Sequence, residues 1–366
     1  MNTPIQDLLQ LGQSLWYDNV QRSLLASPAS GGPSQLGLLI ERGEIRGVTS
    51  NPTIFHNAIA NSNDYDAAIH SLAGSGMSAE DIFWELAVED IRTACDLFQP
   101  VYADTSGGDG YVSLEVNPAL AHDSAGTVAQ AGWLWRKVDR PNLMIKIPAT
   151  HAGVQALRQV IAAGINVNVT LIFSLERYRE VIEAYLGGLE DCLLSGGDIE
   201  NIHSVASFFI SRVDSEIDPK LPADSPLRGK AALANARLAY EEFRNGFSAP
   251  RFGKLQLAKA NYQRPLWAST GTKNPAYSDT MYVDNLIGPA TVNTLPPATL
   301  EAFRQHGRAA MTIMDGLEDG RQLFSLLEEQ GISIDAVTSE LEQEGVRAFE
   351  QAFTALLGSI QTKHTA

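Results

Sequence analysis

The sequence predicts an α/β fold, a closed (β/α)8 TIM barrel with extra helices and a long helical C-terminal region. Three observations lead to this class. Eight short strand-like runs occur between residues 14 and 288, longer amphipathic stretches separate them, and the chain has 366 residues. Alternating strands and helices form parallel βαβ units. Eight strands can close a barrel, whose usual length of about 250 residues leaves room here for additions.

Each predicted strand contains β-branched or aromatic residues, and most end in polar or turn-forming residues. In chain order the runs are SLWYDNV (14–20), RGVTSNP (46–52), YVSLEVN (111–117), LMIKIPA (143–149), INVNVTLIF (165–173), SVASFFIS (204–211), RPLWAST (264–270) and TMYVDNLIG (280–288). Together they are expected to form one barrel, so that residues 1–366 make a single domain.

Helical patterns fill the spaces between the strands. Residues 78–98 begin at Ser78, a good N-cap, with Asp81 three positions later. Residues 153–164 have apolar positions at helical spacing and stop at a glycine, and residues 174–194 show a similar serine start. These three stretches are predicted to be helices that separate the strands.

Two segments resemble additions to a basic barrel. Residues 214–232 are polar and rich in proline, which predicts an exposed insertion. Residues 296–361 form a helical extension that is too long for one closing helix. We expect this extension to pack on the barrel or over its mouth, the end at which the strands terminate.

Composition restricts the classes of function. The net charge is −16, from 27 basic and 43 acidic residues, which argues against broad binding of nucleic acid or of anionic membranes. Small anionic substrates stay possible, since a few local Arg or Lys side chains can hold a phosphate. Neither a signal peptide nor an apolar stretch long enough to span a bilayer is evident.

The two cysteines, Cys95 and Cys192, are far apart and have no CxxC or Cys/His spacing. This pattern argues against a disulfide framework and against structural zinc, and it fits a reducing compartment. The sequence therefore predicts a cytoplasmic protein.

Several predicted strands carry polar side chains on one face and apolar side chains on the other, because successive side chains alternate. Helices cover the outside of a barrel, so the polar faces should point inward and converge near the strand ends, where such barrels have their active sites. The inward polar residues are Asp18, Asn51, Glu115, Lys146, Asn168, Thr170 and Ser207.

Lys146 interrupts the apolar run LMIKIPAT at 143–150. Lysine is almost never fully buried unless it is paired. A partly desolvated amine favours its neutral form, which is a nucleophile for carbonyl groups. Glu115 and Asp18 are expected nearby, and two carboxylates in different surroundings can divide general acid and general base work.

The remaining polar residues suit a phosphorylated polyol. Amide and hydroxyl side chains on the inward faces can bind substrate hydroxyls, and Phe209 shares a face with Ser207. Arg212 and Lys273, just beyond strand ends, are cations suited to a phosphate.

Structural alternatives exist for these residues. Lys146 could serve only as an ion-pair partner of Glu115 or lie exposed on an edge, and Asn51 before a proline is a good helix N-cap. Asn168 and Thr170 could form a satisfied polar layer inside the barrel. Arg212 could pair with a neighbouring carboxylate at position 214 or 216, and Lys273 could be a solvated loop lysine.

The motifs GVTSNPTIF, VSLEV, LMIKIPAT, NVNVTLIFS and SFFISR, in this order, resemble those of the transaldolase family, Schiff-base enzymes of the non-oxidative pentose phosphate pathway. The resemblance covers about residues 14–290. It implies a (β/α)8 barrel of the class I aldolase group that needs no metal and no organic cofactor.

The resemblance also implies roles for individual residues. Lys146 matches the Schiff-base lysine, Asp18 the aspartate that moves a proton at the substrate C4 hydroxyl, and Glu115 the glutamate that acts through a water held by Thr170. The substrate-binding positions of the family match Asn51, Asn168, Ser207, Phe209 and Arg212.

The phosphate end departs from the family pattern. Many members have an arginine two residues after the serine that ends strand seven, but here Ser269 is followed by Thr-Gly-Thr-Lys. Lys273 is the candidate to supply the missing charge.

Three functions are compared. In the first hypothesis, a transaldolase that is a monomer or homodimer transfers a dihydroxyacetone unit from a ketose phosphate to an aldose phosphate. An aldolase of the same superfamily would release free dihydroxyacetone instead, but those relatives are short and tend to lack the glutamate. A non-catalytic sugar-phosphate-binding barrel is the third, and the intact Lys, Glu, Asp and Asn set argues against it.

Overall fold

A computed structural model describes residues 3–365 of the chain. Eight parallel strands close a barrel in which each strand pairs with its sequence neighbours and the last pairs with the first. They are β1 (Gln13–Tyr17), β2 (Gly47–Val48), β3 (Tyr111–Glu115), β4 (Leu143–Pro148), β5 (Val167–Ile172), β6 (Ser204–Phe209), β7 (Gln263–Ala268) and β8 (Thr291–Leu295). The predicted (β/α)8 barrel is confirmed.

Helices surround the barrel and extend beyond it. They are α1 (Pro4–Gln10), α2 (Arg22–Leu25), α3 (Gln35–Glu41), α4 (Pro52–Ala60), α5 (Asp66–Ala73), α6 (Ala79–Asp104), α7 (Ser124–Val138), α8 (His151–Ala162), α9 (Leu175–Leu194), α10 (Ser211–Ile217), α11 (Ala231–Ser248), α12 (Pro250–Gln256), α13 (Met281–Asp284), α14 (Pro297–His306), α15 (Leu317–Glu329) and α16 (Ile334–Thr365). Short 3-10 helices lie at Pro118–Leu120 and Asp218–Lys220.

The three predicted helices are confirmed as α6, α8 and α9. Each begins at a hydroxyl N-cap, because the side chains of Ser78, Thr150 and Ser174 accept hydrogen bonds from backbone N–H groups of the first turn. Such caps satisfy donors that have no partner inside the helix.

The predicted position of the eighth strand is wrong. Residues 280–288 contain the short helix α13, and the strand lies later, at TVNTL (291–295), where it pairs with β1 and β7. The run is apolar for another reason: Tyr282 and Val283 are buried, and the Tyr282 hydroxyl donates a hydrogen bond to Asp214. A short apolar run does not by itself distinguish a strand from a buried turn of helix.

Segment 214–232 is only partly exposed. Residues 222–224 lie at the surface, but Asp214 and Asp218 are buried. Asp214 accepts hydrogen bonds from the Ala232 N–H and Tyr282, and Asp218 accepts one from Tyr277. The expected exposure is therefore wrong for the first part of the segment, because its two carboxylates bond to α11, α13 and the residue Tyr277.

The C-terminal region packs on the barrel. Helix α16 contacts α4, α5, α6 and α10, and it also contacts strand β5. Within residues 3–365, no helix is both long and apolar enough to cross a membrane.

Candidate active site

A cavity of about 130 Å³ opens at the barrel mouth. Nine of the eleven predicted site residues line it: Asp18, Asn51, Lys146, Thr170, Ser207, Phe209, Arg212, Ser269 and Lys273. Glu115 and Asn168 contact residues of this set from deeper in the barrel. Larger grooves elsewhere, between α11 and α15 and beside His203, are lined by other residues.

Lys146 lies on β4, where the strand register places it beside Glu115 of β3 and Asn168 of β5. The residue is buried, and its Nζ donates a hydrogen bond to the Ser50 carbonyl at 3.0 Å and lies 3.2 Å from Glu115 Oε2. The ion pair of the structural alternative is therefore present. The same side chain also borders the cavity, so its nitrogen can meet a bound carbonyl group.

Glu115 is 6% exposed, and this burial raises the pKa of its carboxyl group to about 7. The charge and hydrogen bond of Lys146 oppose the rise, and the charge of Asp18 adds to it. A carboxyl group with a pKa near neutrality can both donate and accept a proton under ordinary conditions.

Asp18 directly follows β1, and its Oδ1 accepts a hydrogen bond of 2.6 Å from the Thr49 hydroxyl. Burial raises the pKa of Asp18, while the bond from Thr49 and the charges of Lys146 and Lys273 oppose the rise. Thr49 in turn lies 2.7 Å from the hydroxyl of Thr294 on β8. The carboxylate is thus held at a fixed position on the cavity wall.

Asn51 is both the N-cap of a helix and a residue of the cavity wall, the two possibilities that the sequence left open. Its Oδ1 accepts a hydrogen bond from the Ile54 N–H at 3.0 Å, which caps α4, and the residue also lines the cavity. The capping bond orients the amide, so its NH₂ group is available to a ligand.

Asn168 is fully buried and does not line the cavity itself. It donates to Ser113 Oγ at 2.9 Å and accepts from the Ser207 hydroxyl at 2.7 Å. Thr170, two residues along β5, has a buried hydroxyl without a hydrogen-bond partner among residues 3–365. A buried hydroxyl without a partner is costly unless water or a ligand satisfies it.

Arg212 lies in the first turn of α10, with its guanidinium 5.3 Å from the centre of the Phe209 ring. Burial lowers the pKa of this guanidinium, and the charge of Glu344 opposes the change. The two carboxylates predicted as alternative partners of Arg212 have other contacts. Asp214 accepts a hydrogen bond from Tyr282, and Glu216 pairs with Lys220. Arg212 therefore forms no ion pair within the described part of the chain.

Ser269 directly follows β7 in a left-handed backbone conformation, with φ of 56°, and its hydroxyl lies 3.0 Å from the Ser211 hydroxyl. Lys273 is exposed and lines the cavity together with Arg212. The structure brings both cations to the one cavity that also contains Lys146.

Sequence reasoning missed several lining residues. Thr294 was missed because the eighth strand was misplaced, and Thr49, two residues before Asn51, was not among the predicted site residues. Phe349 comes from α16, more than two hundred positions after Lys146, and strand alternation gives no indication of it. Among residues 3–365, no cluster of His, Cys, Asp or Glu could hold a metal ion.

Comparison with known proteins identifies the family of this chain. The family model described as transaldolase/fructose-6-phosphate aldolase matches residues 15–360. Transaldolase 1 of Streptomyces coelicolor is 49% identical over 97% of this chain and 93% of its own length. The transaldolase of Saccharopolyspora erythraea is 48% identical, over 98% and 97% of the two chains, and that of Thermobifida fusca is 48% identical over 98% of each. The chain therefore belongs to the transaldolase/fructose-6-phosphate aldolase family, and it is an enzyme with transaldolase activity.

Proposed function

We propose that the chain transfers a dihydroxyacetone unit through a Schiff base on Lys146, in the non-oxidative pentose phosphate pathway. The donor is sedoheptulose 7-phosphate or fructose 6-phosphate, and the acceptor is glyceraldehyde 3-phosphate or erythrose 4-phosphate. The supporting observation is that a buried lysine nitrogen lies 3.2 Å from Glu115 on the wall of a cavity that also holds Asp18 and two cations.

The first step uses the Lys146–Glu115 pair. Transfer of a proton from Nζ to Glu115 leaves a neutral amine, and the raised pKa of Glu115 makes this transfer accessible. The amine attacks the C2 carbonyl of the ketose. Glu115 then returns a proton to the carbinolamine hydroxyl, which leaves as water, and the hydroxyl of Thr170 suits a water that relays the proton.

The second step uses Asp18 as a base. Asp18 accepts the proton of the C4 hydroxyl, the C3–C4 bond breaks, and its electron pair moves into the protonated imine. The aldose phosphate leaves, and a three-carbon enamine stays attached to Lys146. The acceptor aldehyde then binds, and the same steps run in reverse.

The remaining residues hold the substrate. Asn51 would donate a hydrogen bond to a hydroxyl of the dihydroxyacetone unit, and Asn168, which accepts from Ser207, would orient Ser207 for the same task. Arg212 and Lys273 would bind the phosphate, with Ser269 beside them. Phe209 supports the guanidinium of Arg212 by a cation–π contact.

Glu115 should produce a rise in rate with pH. Because its pKa is raised to about 7, the carboxylate form that accepts the proton of Nζ is scarce below that pH and prevails above it. Schiff-base formation, measured by rapid quenching with borohydride, should therefore become faster as the pH rises through 7. Glu115→Gln should abolish this limb and slow the reaction by about 10²- to 10⁴-fold. An unchanged pH profile in the variant would assign the ionisation to another group.

Arg212 and Lys273 should discriminate between substrates. Arg212→Gln and Lys273→Gln should each raise KM for fructose 6-phosphate by about tenfold to a hundredfold, the usual worth of a hydrogen bond to a charged group. Cleavage of unphosphorylated fructose should change little. Arg179→Gln, at an arginine that pairs with Glu242 on the outside, is the matched control. Equal losses on both sugars would indicate a structural role.

Two assays separate the alternative functions. Formation of sedoheptulose 7-phosphate from fructose 6-phosphate and erythrose 4-phosphate supports transfer, whereas equal release of free dihydroxyacetone with and without the acceptor supports an aldolase. Lys146→Arg would retain the physiological role only in a non-catalytic binding protein.

The proposal also covers the setting of the enzyme. We place it in the cytoplasm, in agreement with two free, buried cysteines, and as a monomer or homodimer of single-domain chains. Light scattering coupled to size-exclusion chromatography would determine the oligomeric state.

A further inference from the structure

Helix α16 brings an aromatic side chain to the catalytic lysine. Phe349 lines the cavity, is 6% exposed, and has its ring centre 5.4 Å from Lys146 Nζ. A cation within about 6 Å of a ring centre is attracted to the ring face. The barrel strands supply the reacting groups, but this part of the cavity wall comes from the C-terminal extension.

Three anchors fix the position of Phe349. One turn earlier, Gly345 packs so closely on Leu171 that a Cβ there would lie 2.8 Å from its side chain. One turn later, Phe353 packs edge-on against Phe83 at 5.3 Å. Residues four positions apart share a helix face. At the end of the helix, Lys363 pairs with Asp66 at 2.6 Å. Phe349 is thus held over the lysine by contacts on both sides.

We propose that Phe349 determines the fate of the enamine on Lys146, an inference that rests on the Schiff-base function proposed above. The enamine carbon has two possible partners. In transfer, the carbon forms a bond to the acceptor carbonyl carbon, whose oxygen takes a proton. In hydrolysis, the carbon takes a proton from water, and a second water then adds to the imine carbon, which releases dihydroxyacetone and restores the amine.

Phe349 favours the first route because its ring fills space beside the lysine nitrogen. It thereby excludes water, and exclusion of water prevents side reactions of bound intermediates. Its face lies toward the nitrogen and attracts the positive charge of the protonated imine. Both routes form that imine, so the choice between them depends on the space that the ring fills.

The test compares Phe349 with a phenylalanine remote from the cavity. Phe349→Leu and Phe349→Met remove the ring from the cavity, and Phe247→Leu removes a ring of equal burial, 6% exposed, that packs against Phe252 outside the cavity. For each variant, the release of free dihydroxyacetone from fructose 6-phosphate is divided by the rate of transfer to erythrose 4-phosphate. We expect this ratio to rise by about tenfold in both Phe349 variants, because water then reaches the lysine nitrogen, and to stay at the wild-type value in Phe247→Leu.

An unchanged ratio in the Phe349 variants, with activity lost in parallel to Phe247→Leu, would overturn the inference and assign Phe349 to packing. Thermal unfolding of each variant identifies losses due to instability, and Phe349→Met supplies the measurement if Phe349→Leu does not fold. A different result is expected if the proposed Schiff-base function is wrong. The wild-type enzyme would then neither transfer a dihydroxyacetone unit nor form a borohydride adduct at Lys146.

Discussion

Lys146→Arg should lose turnover by about 10⁴-fold or more, the order expected when a covalent nucleophile is removed. Arginine keeps a positive charge beside Glu115, but it stays protonated and cannot attack a carbonyl. The larger side chain in a buried site should cost about 1–3 kcal/mol of folding free energy. The variant should therefore fold but form no Schiff base.

Borohydride reduction in the presence of fructose 6-phosphate measures this directly. In the wild type, peptide mass mapping should find the adduct on the peptide that contains Lys146, and Lys146→Arg should show none. Lys137→Arg is the matched control, because Lys137 also pairs with a glutamate, Glu85, but lies outside the barrel. An adduct on a different peptide, or turnover within tenfold of the wild type, would refute the assignment.

Strand alternation explains why much of the site could be predicted. Side-chain direction on a strand follows from residue parity, and barrel closure turns one parity inward. Glu115, Lys146 and Asn168 were predicted to face inward for this reason alone, and in the structure they lie side by side on β3, β4 and β5. Predicting their positions requires only the local sequence and the knowledge that the sheet closes into a barrel.

Contacts made outside the strands could not be predicted in this way. Helix α16 has helical periodicity, but nothing in that pattern shows which turn lies over the barrel mouth, so Phe349 was missed. The strand β8 is five residues long and contains two threonines and an asparagine, a weaker apolar pattern than the neighbouring TMYVDNLIG. The stronger pattern belongs to a buried loop and helix, because burial and strand formation both select apolar residues.

The two acids depend on tertiary structure in different ways. The pKa values of both Glu115 and Asp18 are raised by burial, but Thr49 donates a hydrogen bond to Asp18 while Glu115 relies on Lys146. Once Lys146 becomes a neutral amine or an imine, its support for the charge of Glu115 changes, whereas the bond from Thr49 to Asp18 persists. Glu115 is thus suited to a proton that moves with the lysine chemistry, and Asp18 to a base whose hydrogen bond from Thr49 is independent of that chemistry.

Asp18→Asn separates these roles by changing what is trapped on the lysine. The amide keeps the shape of the carboxylate and can still accept from Thr49, but it cannot accept the C4 hydroxyl proton. Schiff-base formation should persist, while cleavage of the C3–C4 bond should slow by about 10²- to 10⁴-fold. With fructose 6-phosphate as the substrate, borohydride should then trap the intact six-carbon sugar phosphate on Lys146, whereas the wild type yields the three-carbon adduct.

Asp109→Asn controls for the loss of a buried carboxylate. Asp109 lies at the opposite end of the barrel and accepts hydrogen bonds from Ser14 at 2.5 Å and Arg264 at 3.0 Å. Its loss should lower stability but leave the three-carbon adduct unchanged, because the residue is remote from the lysine. A three-carbon adduct formed at the wild-type rate by Asp18→Asn would mean that another base cleaves the bond. Absence of any adduct in that variant would place Asp18 in Schiff-base formation, and the division of work between the two acids would be wrong.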